Sequence, residues 1–351
     1  MFIMGIGTAT PATRYTQAQC WEVLQNSDLF ERLQPRSRAL LRRLFNAQNG
    51  IETRSLALDP LTEAFELNPD ALHARFTKHA PALATEAAQK SLARAGLQPR
   101  DIDVVIISTC TGYLCPGLTS YVTERLGLRA DVFALDLVGH GCGAALPNLR
   151  TAEALLAAGR GTNALSICVE VCSAALYFDD DPGVLISACL FGDGAGAAVL
   201  SRDKGSGRAL KWNTGATVIS PTERDLLRFE QHGGMLRNIL TAPVPALAAK
   251  YARQLFNSVM SPRNMDGSHI SQWIWHAGGR DVLGALREEF GFANGELDHS
   301  AAVLREFGNL SSACVYHVLE RALAASAPAG WWWMSSFGAG FSCHGALLEA
   351  E

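Results

Sequence analysis

What the chain lacks narrows its possible roles before any motif is considered. Charged residues make up only 18% of its 351 positions, the net charge is −4, and no long run of like charge occurs. Such a composition offers no cationic footprint for nucleic acid or an anionic membrane. No stretch approaches the roughly 18 apolar residues of a membrane span, and Met1 to Thr8 has no basic segment of the kind that opens a secretory signal. Metal-site spacing is equally scarce. The nine cysteines are an odd number scattered through apolar sequence. Cys110 with Cys115 lacks a second pair or neighbouring histidines, and Cys168 with Cys172 lies in an apolar run. These read as packing thiols, with no metal centre, in a reducing cytoplasm.

What is present is a core. Hydrophobic residues reach 48%, enough for one large or two medium domains. Phe2 to Gly7 reads as a buried strand, and Thr16 to Phe45 as amphipathic helix bearing Arg36, Arg38, Arg42 and Arg43, with Arg54 beyond. That cluster suits coenzyme phosphates or an acidic carrier protein, and equally a solvated helix face. Pro81 to Ala95 reads as helix closed by Gly96, and Asp103 to Ser108 as a strand buried on both faces. Asn163 to Val169 is another such strand. Ser201 to Arg208 is the best boundary between an N-terminal half, residues 1–205, and a C-terminal half, residues 206–351. After irregular sequence from Thr214, the second half gives a helix (Pro245 to Val259), a strand (Ile270 to Trp275), a helix (Asp281 to Phe290), a helix entered at Asn309, and a last strand.

Between an apolar run and a helix-like segment, Gly141-Cys142-Gly143 forms a corner. A thiol there meets unpaired N–H groups and the positive end of the helix dipole, and such surroundings with a histidine partner lower a cysteine to about 3.5 to 7.5. Cys142 is the candidate nucleophile. The same stretch also fits one more buried cysteine in an alanine-rich core.

The chain repeats itself. Gly112 to Cys142 spans 30 residues, and so does Gly279 to Asn309. Phe191-Gly192-Asp193-Gly194 corresponds to Phe337-Gly338-Ala339-Gly340. Landmarks in the same order argue for a duplicated α/β half. If the halves pack about a pseudo-twofold axis, Cys142 meets Asn309, and His276 arrives from the corner before Gly278-Gly279. A nucleophile, an imidazole and an amide donor would then share one place. His140 is the rival imidazole, and Asn309 alone also reads as a helix N-cap.

Gly308-Asn309-Leu310-Ser311-Ser312-Ala313-Cys314-Val315 closely resembles the signature of chalcone-synthase-like enzymes, the type III polyketide synthases. Leu190 to Ala195, His276-Ala277-Gly278-Gly279 and Phe337-Gly338-Ala339-Gly340 resemble that family's other landmarks, in its order. The resemblance implies a thiolase-like five-layer αβαβα fold with two duplicated halves, in a homodimer. It implies a Cys142-His276-Asn309 site, an aromatic gate at Phe191, and substrate contacts from Gly278, Gly279, Phe337 and Gly338. Cys142, as a thiolate paired with a His276 imidazolium, would take an acyl starter from coenzyme A. Malonyl-CoA would then extend it by iterative decarboxylative condensation before cyclisation, with no cofactor beyond the thioester substrates. Arg42, Arg43 and Arg54 become candidates for the coenzyme phosphates.

The departures from the plant pattern concern the pocket. Ala277 stands where a proline is common, and polar residues near Arg237 and Asn238 replace a second pocket phenylalanine, against an aromatic starter. Thr111, Cys115, Cys172 and Ala175 would line the cavity, the last three small enough to open a tunnel in which each buried CH2 contributes about 0.8 kcal/mol. A fatty acyl starter and an alkylpyrone or alkylresorcinol product are expected. The alternatives are a ketoacyl synthase III type enzyme making one condensation with a carrier-protein-bound substrate, which uses the same three residues, and a catalytically silent acyl-binding partner subunit.

Overall fold

A computed structural model describes residues 1–46, 49–205, 210–293 and 295–351. Its centre is a nine-stranded sheet running in the order Ile270–Trp275, Gly330–Gly338, Ser342–Ala350, Leu210–Ile219, Phe2–Ala9, Gly194–Ser201, Asn163–Glu170, Val104–Ser108, Phe133–Leu137. The duplication is visible in the pairing. Phe2–Ala9 lies antiparallel to Gly194–Ser201, which lies antiparallel to Asn163–Glu170, which runs parallel to Val104–Ser108. Leu210–Ile219, Ser342–Ala350, Gly330–Gly338 and Ile270–Trp275 repeat this sequence of orientations. The two sets join only where Phe2 and Ile3 pair with Lys211 and Leu210.

Alternation along the buried strands builds the layers. Val105, Ile107, Leu165, Ile167 and Val169 face the outer helices Pro69–Ala95 and Leu118–Leu126. Val104, Ile106, Ala164 and Cys168 face inward, where helices Ala145–Ala157 and Cys314–Ala324 are sandwiched between the two sets of strands. Val244–Met260 and Arg280–Phe290 cover the far side of the second set. The result is the expected five-layer α-β-α-β-α sandwich with two duplicated halves, and its strands are mainly apolar because both faces of each sheet are covered.

Several boundaries differ from the sequence reading. The helical stretch expected from about Thr16 to Phe45 is divided into three helices, Gln17–Gln25, Asp28–Arg32 and Pro35–Asn46. Ser27 caps the second through its hydroxyl, and Pro35 opens the third, since proline cannot continue a helix from the preceding turn. The helix expected to open at Pro81 starts at Pro69 and runs through Pro81, carried by the unbroken buried stripe of Phe76, Ala80, Ala84 and Ala87. The irregular segment after Thr214 holds the strand Leu210–Ile219 and a hairpin, Leu227–His232 with Met235–Leu240. Of the expected boundary segment Ser201 to Arg208, residues 206–208 lie outside the described residues. All nine cysteines are free thiols. Among the described residues no helix is long and apolar enough to cross a membrane.

Candidate active site

Cys142 stands on the turn Gly141–Gly143, one turn ahead of the helix Ala145–Ala157. The C-terminal loop packs against this turn so closely that a Cβ on Gly338 would lie 2.1 Å from the His140 carbonyl oxygen and 2.7 Å from the Gly143 nitrogen. Only glycine allows that approach. The Ser336 hydroxyl donates to the Gly143 carbonyl at 2.9 Å and ties the two halves at the nucleophile corner.

His276 follows the strand Ile270–Trp275 and is 3% exposed. Its N–H donates to the Ser335 carbonyl at 2.9 Å, and the Phe337 ring stands edge-on to the imidazole at 6.2 Å. Trp275 stacks behind Phe337 at 6.1 Å, so the imidazole rests on a wall of aromatic rings. Nδ1 of His276 is buried and has no hydrogen-bond partner.

Asn309 is 3% exposed and does not cap a helix; a short turn, Ser311–Ala313, intervenes before Cys314–Ala324. Its Nδ2 donates to the Gly278 carbonyl at 3.0 Å, and its Oδ1 accepts from the Ser311 N–H at 2.8 Å. Its backbone bridges to Phe191: the Asn309 N–H donates to the Leu190 carbonyl at 2.9 Å, and Gly192 N–H donates to the Asn309 carbonyl at 3.0 Å.

Cys142, His276 and Asn309 line one cavity of about 540 Å³, together with Phe191, Gly278, Gly279 and Phe337. Arg43 and Arg280 also line it. Phe191 in addition walls a second, smaller space of about 20 Å³ bounded by Thr111, Cys172, Ala175, Phe229 and Asn238. Phe191 thus lines both spaces. His140 is not in the cavity; it faces His344 at 5.8 Å.

The electrostatics differ from the corner argument. Burial pushes the Cys142 thiol up to about 12, opposed by the Ser311 hydroxyl and aided by the Glu170 carboxyl. Burial alone lowers His276 to about 4. Both shifts come from desolvation, which favours the neutral thiol and the neutral imidazole over their charged forms. A neutral imidazole is a competent general base for a thiol attacking an acyl group.

Four sequence-derived assignments fall elsewhere. Arg54 is 5% exposed and points inward, its Nη1 donating to the carbonyls of Ala188 at 2.8 Å and Phe191 at 3.1 Å. It braces the backbone before and at Phe191 and, being buried, is turned away from solvent where coenzyme phosphates would lie. Arg237 does not line the small compartment; Asp179, Asp181 and Glu230 surround it at 2.7 to 3.3 Å. Cys115 is exposed beside the sheet edge and touches neither compartment. Arg42 is exposed with its guanidinium over Phe30. Sequence reasoning overlooked Arg280 at the cavity and Glu170 beneath the sulfur, the latter hidden inside an apolar run whose only signal was an acid between valines.

Sulfur, imidazole and carboxamide thus line one cavity, Cys142 and Asn309 from equivalent corners of the two halves and His276 from the end of the strand Ile270–Trp275. The family model for FAE1/Type III polyketide synthase-like proteins matches residues 8–225, and that for the C-terminal domain of chalcone and stilbene synthases matches residues 227–350. The chain is 31% identical to the 1,3,6,8-tetrahydroxynaphthalene synthase of Streptomyces peucetius subsp. caesius, over 99% of this chain and 92% of that one. It is 26% identical to the alpha-pyrone synthesis polyketide synthase-like Pks18 of Mycobacterium tuberculosis, over 91% of this chain and 82% of the relative. The crystal structure of PKS-I from the brown alga Ectocarpus siliculosus superposes with a TM-score of 0.90 at 25% identity, covering 99% of this chain and 98% of that chain. The chain belongs to the type III polyketide synthase family and is a condensing acyltransferase of that family.

Proposed function

We propose that Cys142 accepts an acyl starter from coenzyme A, that His276 is the base for its thiol, and that His276 and Asn309 together hold the oxyanion of the malonyl thioester. The observation that supports this most is the single cavity shared by the three side chains, with Phe191 lining both it and the smaller compartment. As sulfur attacks the starter thioester, the thiol proton passes to His276, which returns it to the departing coenzyme A sulfur. Loss of CO2 from the malonyl unit leaves an enolate, whose oxygen takes hydrogen bonds from the imidazole and from the second Nδ2 hydrogen of Asn309. One such donor is worth about 2.7 to 4 kcal/mol in a transition state. The enolate carbon attacks the acyl-cysteine, transferring the lengthened chain to coenzyme A and freeing Cys142 for reloading. A dry wall of Phe191 and Phe337 protects the carbanion from water. The reaction needs no metal or redox group, and residues 1–205 supply the nucleophile while residues 206–351 supply the imidazole and the amide.

Delivery by coenzyme A is supported by Arg43 and Arg280 at the same cavity, and the exposed Arg36 and Arg42 also suit an acidic carrier protein. A fatty acyl starter leading to an alkylpyrone or alkylresorcinol is supported by the apolar side of the large cavity, where Ile186, Leu190, Leu227, Leu240 and Val244 converge. A short starter giving a compact aromatic product is the second reading, favoured by the mere 20 Å³ of the smaller compartment. The chain works as a cytoplasmic homodimer in this reading. Tyr113 (72% exposed), Phe133 and Val138 lie along the open sheet edge Phe133–Leu137, an apolar border suited to a second copy.

Mass spectrometry of products from malonyl-CoA with acyl-CoAs of graded length tests these assignments. Turnover of long-chain starters with several malonyl units is expected. A single condensation would remove the iterative reading, and refusal of long chains in favour of short ones would leave the second. Undiminished malonyl-CoA consumption by Cys142→Ala would refute the nucleophile.

A further inference from the structure

Ser311 touches two of the three reacting groups from one residue. Its backbone takes φ +51, in the left-handed region that side-chain-bearing residues other than Asn and Asp seldom enter. It is 1% exposed. The unusual turn points its N–H at Asn309 Oδ1, at 2.8 Å, and its hydroxyl at Cys142 Sγ, at 3.3 Å. We propose that Ser311 is a further catalytic residue: its hydroxyl donates to the Cys142 sulfur as negative charge builds there, while its N–H locks the Asn309 carboxamide in the orientation that presents an amide hydrogen to the substrate oxygen. The inference rests on Cys142 being the nucleophile.

The surroundings suit such a donor. The ionisable groups near the sulfur are Glu170, Cys110, Cys172, Cys314 and His276. A Glu170 carboxylate would repel a thiolate, and the hydroxyl offers the sulfur a hydrogen bond. Glu170 is itself tied down by the Cys110 N–H at 3.0 Å, the Thr111 hydroxyl at 2.9 Å and the Ser312 hydroxyl. Cys110 Sγ lies 3.4 Å from the Ser311 oxygen and could compete for its proton. The Cys110 thiol donates toward Glu170 at 3.4 Å, and a charged Cys142 sulfur is a stronger acceptor for the Ser311 proton than the neutral Cys110 thiol. A neutral hydroxyl stabilises a buried anion without adding a second charge to desolvate. Reading the two contacts together also explains the strained backbone. An ordinary right-handed turn would part the hydroxyl from the sulfur or the N–H from the amide.

The test compares two substitutions in the full-length protein. Ser311→Gly removes the hydroxyl and accepts φ +51 freely; Ser311→Ala removes the hydroxyl and keeps the backbone constrained. Iodoacetamide labelling of Cys142, quantified by peptide mass spectrometry to separate it from the other eight thiols, is followed across pH. In both variants the rising limb of the rate profile is expected to move up by about one pH unit, so that labelling is about tenfold slower at any given pH. Malonyl-CoA decarboxylation should fall through kcat with KM unchanged. If Ser311→Ala does not fold, Ser311→Gly alone decides. A Ser311→Gly profile superimposed on the wild type would overturn the proposal. A shifted labelling profile alongside full turnover by Cys142→Ala would leave the Ser311–Cys142 hydrogen bond standing and remove the nucleophile reading instead.

Discussion

Gly308 precedes the amide donor and holds a backbone shape closed to other residues, φ +75 with ψ −166. Alanine there pays for that conformation with about 1–3 kcal/mol. Its Cβ would also lie 2.7 Å from the Leu190 carbonyl oxygen and 3.1 Å from Arg54 Cγ. The Leu190 carbonyl cannot retreat freely, because it accepts the Asn309 N–H at 2.9 Å. Breaking that bond adds about 1 kcal/mol, and the whole change should destabilise the protein by about 2–4 kcal/mol. The displacement falls on Asn309 itself, and a shift approaching 1 Å in a positioning group costs on the order of 100-fold in rate. Gly291→Ala is the matched control: φ is +64, yet nothing lies within 4 Å of the added Cβ, so only about 1 kcal/mol is expected and no loss of rate. Urea unfolding and malonyl-CoA decarboxylation, measured on both variants, separate strain from collision. Equal stability losses with equal, undiminished rates would show that Asn309 does not depend on the Gly308 contact with Leu190.

Further outcomes follow from the same geometry. Since burial lowers His276 from 6.5 to about 4, the unfolded chain binds its proton first as pH falls. The stability from keeping this ring neutral is therefore whole above pH 6.5 and declines to about 3 kcal/mol less by pH 4, with no further loss below. The urea midpoint of His276→Gln should lack this part of the decline, and an identical slope in both proteins would contradict it. Arg54→Ala should destabilise by about 2–4 kcal/mol through two abandoned carbonyls while leaving KM for malonyl-CoA unchanged; Arg43→Ala should do the reverse, raising KM about three- to tenfold at unchanged stability. An increase in KM with Arg54→Ala would return that side chain to the coenzyme. Gly338→Ala should abolish labelling of a correctly placed Cys142, as its Cβ would collide with the His140 carbonyl at 2.1 Å.

The parts of the molecule that could be read from sequence were those where period and spacing carry the information. The strand Ile270–Trp275 falls where its apolar run ends, and the two 30-residue intervals foretold that Cys142 and Asn309 would occupy equivalent corners. What escaped depends on distant partners. The hairpin Leu227–Leu240 is only half-buried, so its alternation is faint. Arg54 looks like any surface arginine until the C-terminal end of the helix Pro182–Leu190 closes over it. Cys142 occupies the corner expected of it, yet burial pushes its thiol up, and how much protein surrounds a sulfur is a quantity no local motif records.

The backbone bridge between Phe191 and Asn309 limits how such an enzyme can diversify. Shifting the main chain at Phe191 would drag Asn309, the proposed oxyanion donor, with it. New products must instead arise by exchanging side chains on a fixed frame, at Phe191 itself or at the neighbouring Ala175 and Asn238. The machinery stays put while the mould beside it is recarved.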